Sequence, residues 1–165
     1  METFEAIANR VSTRSYERRP IEKGLLEKLV DAGRRAPTAR AVEPWEFVVV
    51  TENSALRKLG EIASPNGHFI KEASACIAVY CKDTKYYLED GVAATENILL
   101  MAEGLGLGAC WVAGDKKPYV NDVSKHLNVP SECRLISLVS LGWPQGKKPQ
   151  DKKRKLAEVI HWNNF

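Results

Sequence analysis

Apolar positions along this chain change their period several times, and each change marks an element. Between 21 and 35, Leu25, Leu26, Leu29, Val30 and Ala32 recur at steps of three and four while Glu22, Lys23, Glu27, Lys28 and Asp31 take the other positions, which predicts an amphipathic helix. Pro37 cannot continue that helix and biases Ala36 away from helical geometry. After Pro44 the run Trp45, Phe47, Val48, Val49 and Val50 is aromatic and β-branched, as an interior strand requires. A strand over 45–51 leaves 38–43 as a short polar loop pinned at both ends by rigid elements, where sites are often built.

The same reading covers the rest of the chain. Residues 3–9 form a short helix with Thr3 as N-cap and Phe4, Ile7 and Ala8 on one side. Residues 10–16 read as extended. Leu56, Leu59 and Ile62 mark a third helix, opened by Asn53 or Ser54 and broken at Pro65, Asn66 and Gly67. Residues 74–81 are a continuous apolar strand, buried on both faces. The longest helix runs from about 84 to 105 behind Asp83 or Thr84, and from Gly91 to Met101 it is apolar or small round most of its circumference, Glu96 and Asn97 excepted. A helix so apolar needs cover on more than one side, and a second copy of the chain would supply it. Strands over 109–113 and 134–141 enclose a short helix over 119–127, and the glycines at 104, 106 and 108 stop one helix and let the backbone run close as the next strand begins.

Composition narrows the class. With 165 residues the chain has the usual size of one domain, and its net charge of +3 does not argue for nucleic acid. Charge distribution says more: Arg10, Arg14, Arg18 and Arg19 crowd one segment, and Lys147, Lys148, Lys152, Lys153, Arg154 and Lys155 another. A nucleic-acid or acidic-partner binder built on the late patch is the rival this raises. No apolar run approaches the length of a bilayer span, and the first ten residues lack the apolar centre of a secretory signal. Cys76, Cys81, Cys110 and Cys133 lie in apolar segments without metal-ligand spacing, the pattern of buried reduced thiols in a cytoplasmic protein, with no metal site.

Chemistry concentrates in two stretches. In an extended 10–16 segment, Arg10, Ser12 and Arg14 project to one side and could line an anion pocket. With Ala36, Pro37, Thr38, Pro44, Trp45 and Phe47, the helix ending in Leu105, Gly106, Leu107 and Gly108, and the turn Gly142, Trp143, Pro144, this order of motifs resembles the nitroreductases, FMN-dependent NAD(P)H oxidoreductases. The family's usual asparagine and glutamine in the loop are here Ala41 and Glu43.

The resemblance implies an α+β sandwich with a mostly antiparallel central sheet flanked by helices, homodimeric, a single domain over 1–165 with a C-terminal arm at about 145–165. It implies FMN as cofactor and NAD(P)H as co-substrate, with hydride passing through flavin to a nitroaromatic, quinone or similar acceptor in a ping-pong cycle. It places Arg10, Val11, Ser12, Arg14, Pro37, Thr38, Ala39, Asn66, Trp111, Val112, Ala113, Gly114, Lys152 and Arg154 at the cofactor. Of these, Arg10, Lys152 and Arg154 would meet the phosphate, and Arg14 would act in catalysis by balancing charge on the reduced flavin. The alternative within the same resemblance is an FMN carrier or sensor without turnover.

Overall fold

The segment Ala75–Lys82, strand β2, is apolar at every position but its last, and the fold buries it on both faces. It does so by placing β2 inside a sheet and helices on either side. The computed structural model describes residues 2–146 and 152–165. Around β2 the elements are α1 (Thr3–Asn9), α2 (Lys23–Arg34), β1 (Trp45–Val50), α3 (Asn53–Ile62), α4 (Tyr87–Gly104), β3 (Gly108–Ala113), α5 (Val120–His126) and β4 (Cys133–Gly142), with 3-10 turns at Ala39–Ala41, His68–Glu72 and Leu156–Glu158. Among the described residues the strands make one sheet in the order β1-β2-β4-β3, antiparallel at every junction.

Strand alternation divides the core between the two faces. Ala75, Ile77, Val79 and Cys81 meet Leu26 and Leu29 of α2 and Ala94, Ile98 and Ala102 of α4. Cys76, Ala78 and Tyr80 meet Leu56 and Leu59 of α3, Phe69 and Ile70 of the His68–Glu72 turn, and Val123 of α5. Burial of a leucine such as Leu29 or Leu59, each 0% exposed, is worth roughly 1.5–3 kcal/mol. The β2–β4 register shifts between Val79 and Tyr80, and α4 accommodates the irregularity with Gly91, where a Cβ would stand 2.4 Å from Ile136 Cγ1. Beside it Thr95 joins Ser137 through their hydroxyls at 2.9 Å, satisfying two polar groups that are both wholly buried.

Three element starts differ from the sequence reading. Thr3 is the first helical residue, and Glu2 occupies the N-cap with its N–H given to Glu5 at 3.2 Å. Glu52, extended and without a side-chain cap bond, precedes α3, so Asn53 lies inside the helix. Asp83 does not open α4, because its N–H goes to the Glu132 carbonyl at 3.0 Å and its carboxylate to Arg134 at 2.7 Å; the helix begins at Tyr87.

Cover for α4 comes largely from within the chain. Its face formed by Asp90, Gly91, Ala94, Thr95, Ile98, Leu99 and Ala102 is buried, and Asn97 ties it to α2 by donating to the Ala32 carbonyl at 3.0 Å. Apolar surface without cover remains at Val92 and Met101 of α4, and more of it lies elsewhere. Every residue of 152–165 is exposed, including Leu156, Val159, Ile160, Trp162 and Phe165, and on α1 Phe4 is 78% exposed.

Candidate functional site

Residues 10–17 form an irregular stretch anchored to the sheet edge and to the segment after β4. Ser12 makes a parallel bridge to Ala109 on the outer edge of β3, and the Thr13 N–H donates to the Ala109 carbonyl at 2.9 Å. Three residues on, Tyr16 bridges Pro144, the Glu17 N–H donates to Trp143 and the Gln145 N–H to Ser15. Close approach explains two glycines: a Cβ on Gly108 would stand 2.6 Å from Thr13, and one on Gly142 2.6 Å from Tyr16. The Tyr16 side chain plugs the interior. Its hydroxyl donates to the Thr13 carbonyl at 2.6 Å and meets Ser140 Oγ at 2.7 Å, and burial pushes the phenol well above its usual range.

Fixing this backbone as extended chain fixes which side chains share a side. Burial pushes the Cys110 thiol up, against the opposing pull of Arg14, of a hydrogen bond from Ser12 and of Arg10. The Arg14 guanidinium also lies over Phe69, 5.6 Å from the ring centroid, a cation–π contact that restrains it. Arg19 behaves differently, stacking on Trp143 at 3.8 Å, so the early basic cluster separates into two groups.

Beside these cations runs the open edge of β3. The Gly114 N–H is spent on the Ile136 carbonyl at 2.9 Å, and antiparallel ladders alternate, so Trp111 and Ala113 aim their backbone polar groups at the outer edge. Tyr119 donates to the Ala113 carbonyl there. Val112 is buried, and the turn holding Asn66 comes against it: a Cβ on Gly67 would stand 3.0 Å from Val112 Cγ1. The 10–14 segment thus meets the outer edge of β3 at Ala109, and the turn holding Asn66 comes against Val112 further along the strand. Gly114 contributes as a packing residue, since Leu135 and Ile136 leave it no room for a side chain.

The remaining predicted residues lie apart. Pro37, Thr38 and Ala39 follow α2 on the opposite face of the sheet, where the Thr38 hydroxyl and the Ala39 N–H both bond the carboxylate of Asp90 on α4. Lys152 and Arg154 sit in the exposed tail, and Arg154 is turned back on it, donating to the Glu158 carbonyl at 2.7 Å. Lys147 and Lys148 fall outside the described residues. One chain therefore brings the 10–14 segment to β3 and holds the other predicted residues elsewhere. A cavity of about 290 Å³ beside α1 is also bordered by this segment, its lining including Asn9, Val11, Thr13, Arg14, Glu103 and Leu107.

Three participants escaped the sequence reading. Asp90 is 4% exposed and in phase with the buried positions 94, 98 and 102, so its helical spacing was the available signal. Phe69 and Tyr16 reach the site only through tertiary contacts, for which local pattern carries no signal.

The sequence pattern of the nitroreductase family matches this chain over residues 7–80 and 69–143. The chain belongs to the nitroreductase family. An Archaeoglobus fulgidus relative, provisionally named NADH dehydrogenase/NAD(P)H nitroreductase, is 36% identical over 89% of this chain and 88% of its own. A crystal structure from Parabacteroides distasonis with the same provisional name superposes with a TM-score of 0.93 at 35% identity, covering 99% of this chain and 98% of the other. An FMN-dependent nitroreductase from Clostridium difficile gives 0.88 at 27% identity, covering 98% and 99%. The α+β nitroreductase fold is common to all of them.

Proposed function

We propose that this nitroreductase-family chain is an FMN-dependent NAD(P)H oxidoreductase that reduces a nitroaromatic, a quinone or a similar small acceptor, with co-substrate and acceptor using one site in turn. The run of the 10–14 segment along the outer edge of β3, with Ser12 bridged to Ala109 and Arg14 lying over Phe69, carries this reading. The residues fit the cofactor: two guanidinium groups and a hydroxyl form a donor set for a phosphorylated, anion-forming ring system, and the outward amides of Trp111 and Ala113 add uncharged donors next to it. When bound, FMN would accept two electrons from the nicotinamide and release them to the acceptor.

The chain's own residues bind, orient and balance charge. Arg10 would hold the phosphate, joined by Lys152 and Arg154 once the tail docks on a second copy. Arg14, restrained over Phe69, would meet negative charge arriving on the ring, and a preorganised cation stabilises such charge without moving. Pro37, Thr38 and Ala39 would be lent to the site by the partner copy, because their own chain holds them on the other face of the sheet. The exposed apolar tail supports a homodimer, since Trp162 at 80% and Leu156 at 70% exposure lack cover in one chain. We read residues 1–165 as one flavin-binding domain with an arm at about 145–165. Free thiols at Cys76, Cys81, Cys110 and Cys133 suit the cytoplasm, and among the described residues no helix is long and apolar enough to cross a membrane.

The test is a visible spectrum of the purified chain before and after anaerobic addition of NADH, then NADPH. The oxidised flavin band should be present and should bleach with at least one of them, returning when menadione is added. A flavin band that neither nicotinamide bleaches would leave a carrier or sensor, and a preparation that stays colourless and binds no added FMN would refute the proposal.

A further inference from the structure

The 38–43 loop bends through conformations its residues disfavour. Arg40, Ala41 and Glu43 have φ of 59°, 54° and 50°. In that left-handed region a Cβ crowds the following carbonyl, and glycine or asparagine is the usual occupant. None of the three is either. What holds the path is a single carboxylate. Asp90 Oδ2 accepts from the Thr38 hydroxyl at 2.8 Å and its Oδ1 from the Ala39 N–H at 3.0 Å, while Thr38 Oγ1 accepts in turn from the Glu43 N–H at 3.1 Å. Both ends of the bend are thereby tied to one atom group, directly at 38–39 and through a hydroxyl at 43. The anchor itself is rigid, because Asp90 is buried and the next residue, Gly91, packs against Ile136 with no room for a Cβ.

The tie also decides what the loop presents. With its hydrogen donated to Asp90 and a lone pair taken by Glu43, the Thr38 hydroxyl is engaged inward, and Arg40, Ala41, Val42 and Glu43 face out, all exposed. We propose that Asp90 and Thr38 form a positioning latch that sets the backbone path of the 38–43 loop. Its consequence for the flavin and the acceptor rests on the function proposed above, in which residues 37–39 complete the partner's site: a loosened latch widens that wall. Asp90 touches neither cofactor nor substrate and acts only through the loop.

The full-length chain tests this with four variants. Thr38→Val keeps the shape without the hydroxyl; Asp90→Asn has one acceptor oxygen where two bonds must be accepted; Thr38→Ser restores the hydroxyl; Thr38→Val with Ala41→Gly relieves the left-handed position by a different route. Trypsin cutting after Arg40, followed by mass spectrometry, reads loop order without needing flavin. Losing such a bond should speed cutting by about tenfold in Thr38→Val and Asp90→Asn. Thr38→Ser should return to the parent rate, and the glycine double variant should recover part of it. With menadione as acceptor, KM should rise by a larger factor than kcat falls in Asp90→Asn, a split that general loss of folded protein does not produce. Unchanged cutting in both single variants overturns the latch, as does failure of both Thr38→Ser and the glycine variant to slow it. A colourless chain whose cutting still depends on Thr38 upholds the latch and sinks the flavin reading; a yellow, active chain whose cutting ignores Thr38 sinks the latch alone.

Discussion

Residues 10–17 and residues 152–165 carry the cations assigned to the flavin phosphate, yet the chain holds them in opposite ways. The first stretch is bonded on both sides, to Ala109 and to Trp143 and Gln145, with Tyr16 buried beneath it. The second is exposed throughout and pairs with itself, Arg154 with Glu158 and the His161 ring stacked on Phe165 at 4.1 Å. A built half-site and an unspent arm belong together if folding prepares the first and association places the second. Under the proposed dimer, preorganisation is confined to the part that one chain can enforce, and a partner copy would place the remainder.

Removing 152–165 should break the comparison most severely. The shortened chain should sediment as a monomer, and loss of two charge-assisted contacts predicts FMN affinity lower by about a hundredfold or more, read by fluorescence quenching. Within the anchor, Arg10→Ala should weaken FMN by roughly ten- to a hundredfold, whereas Arg14→Ala should retain it better and lower the flavin potential by about 30–60 mV. Unchanged potential and turnover in Arg14→Ala would remove Arg14 from the mechanism. Tyr16→Phe deprives the Thr13 carbonyl and the buried Ser140 of a partner and should cost about 1–3 kcal/mol in a urea melt.

Alkali tests the core on both faces of the sheet. Burial holds the Cys76 thiol protonated until about 12 from an ordinary 9.0, and Cys81 likewise until about 12. The unfolded chain therefore loses these protons first as pH rises, so their contribution to stability is full below about 9 and falls away toward 12. The urea midpoint should be lower at pH 10 than at pH 7, and Cys76→Ala should flatten that difference. The smallest effect belongs to the tail: Glu158→Gln removes the charge of an exposed pair and should change stability by about 1 kcal/mol or less while leaving FMN bound, because the Arg154 guanidinium itself is retained.

Much of the fold was legible because its signals are periodic. Leu26 and Leu29 in α2, Leu56 and Leu59 in α3 and the unbroken apolar run of β2 each mark their own burial. Element starts were less legible, since Asp83 is equally suited to capping a helix or to pairing with Arg134, and only the position of β4 decides. At the site, the extended reading of 10–16 matches the bridges of Ser12 to Ala109 and Tyr16 to Pro144. The inward turn of Thr38 could not be foreseen, because it depends on Asp90, fifty-two residues away. Cover for α4 was sought from a second copy, and α2 and the sheet supply most of it. The exposed apolar residues of the tail now carry the argument for that copy instead.

Sedimentation velocity followed at the visible band of oxidised flavin reads cofactor and association in one experiment. The account predicts a yellow boundary at twice the 18.4 kDa chain mass. A yellow boundary at the mass of one chain, or no visible boundary with FMN in excess, would contradict it.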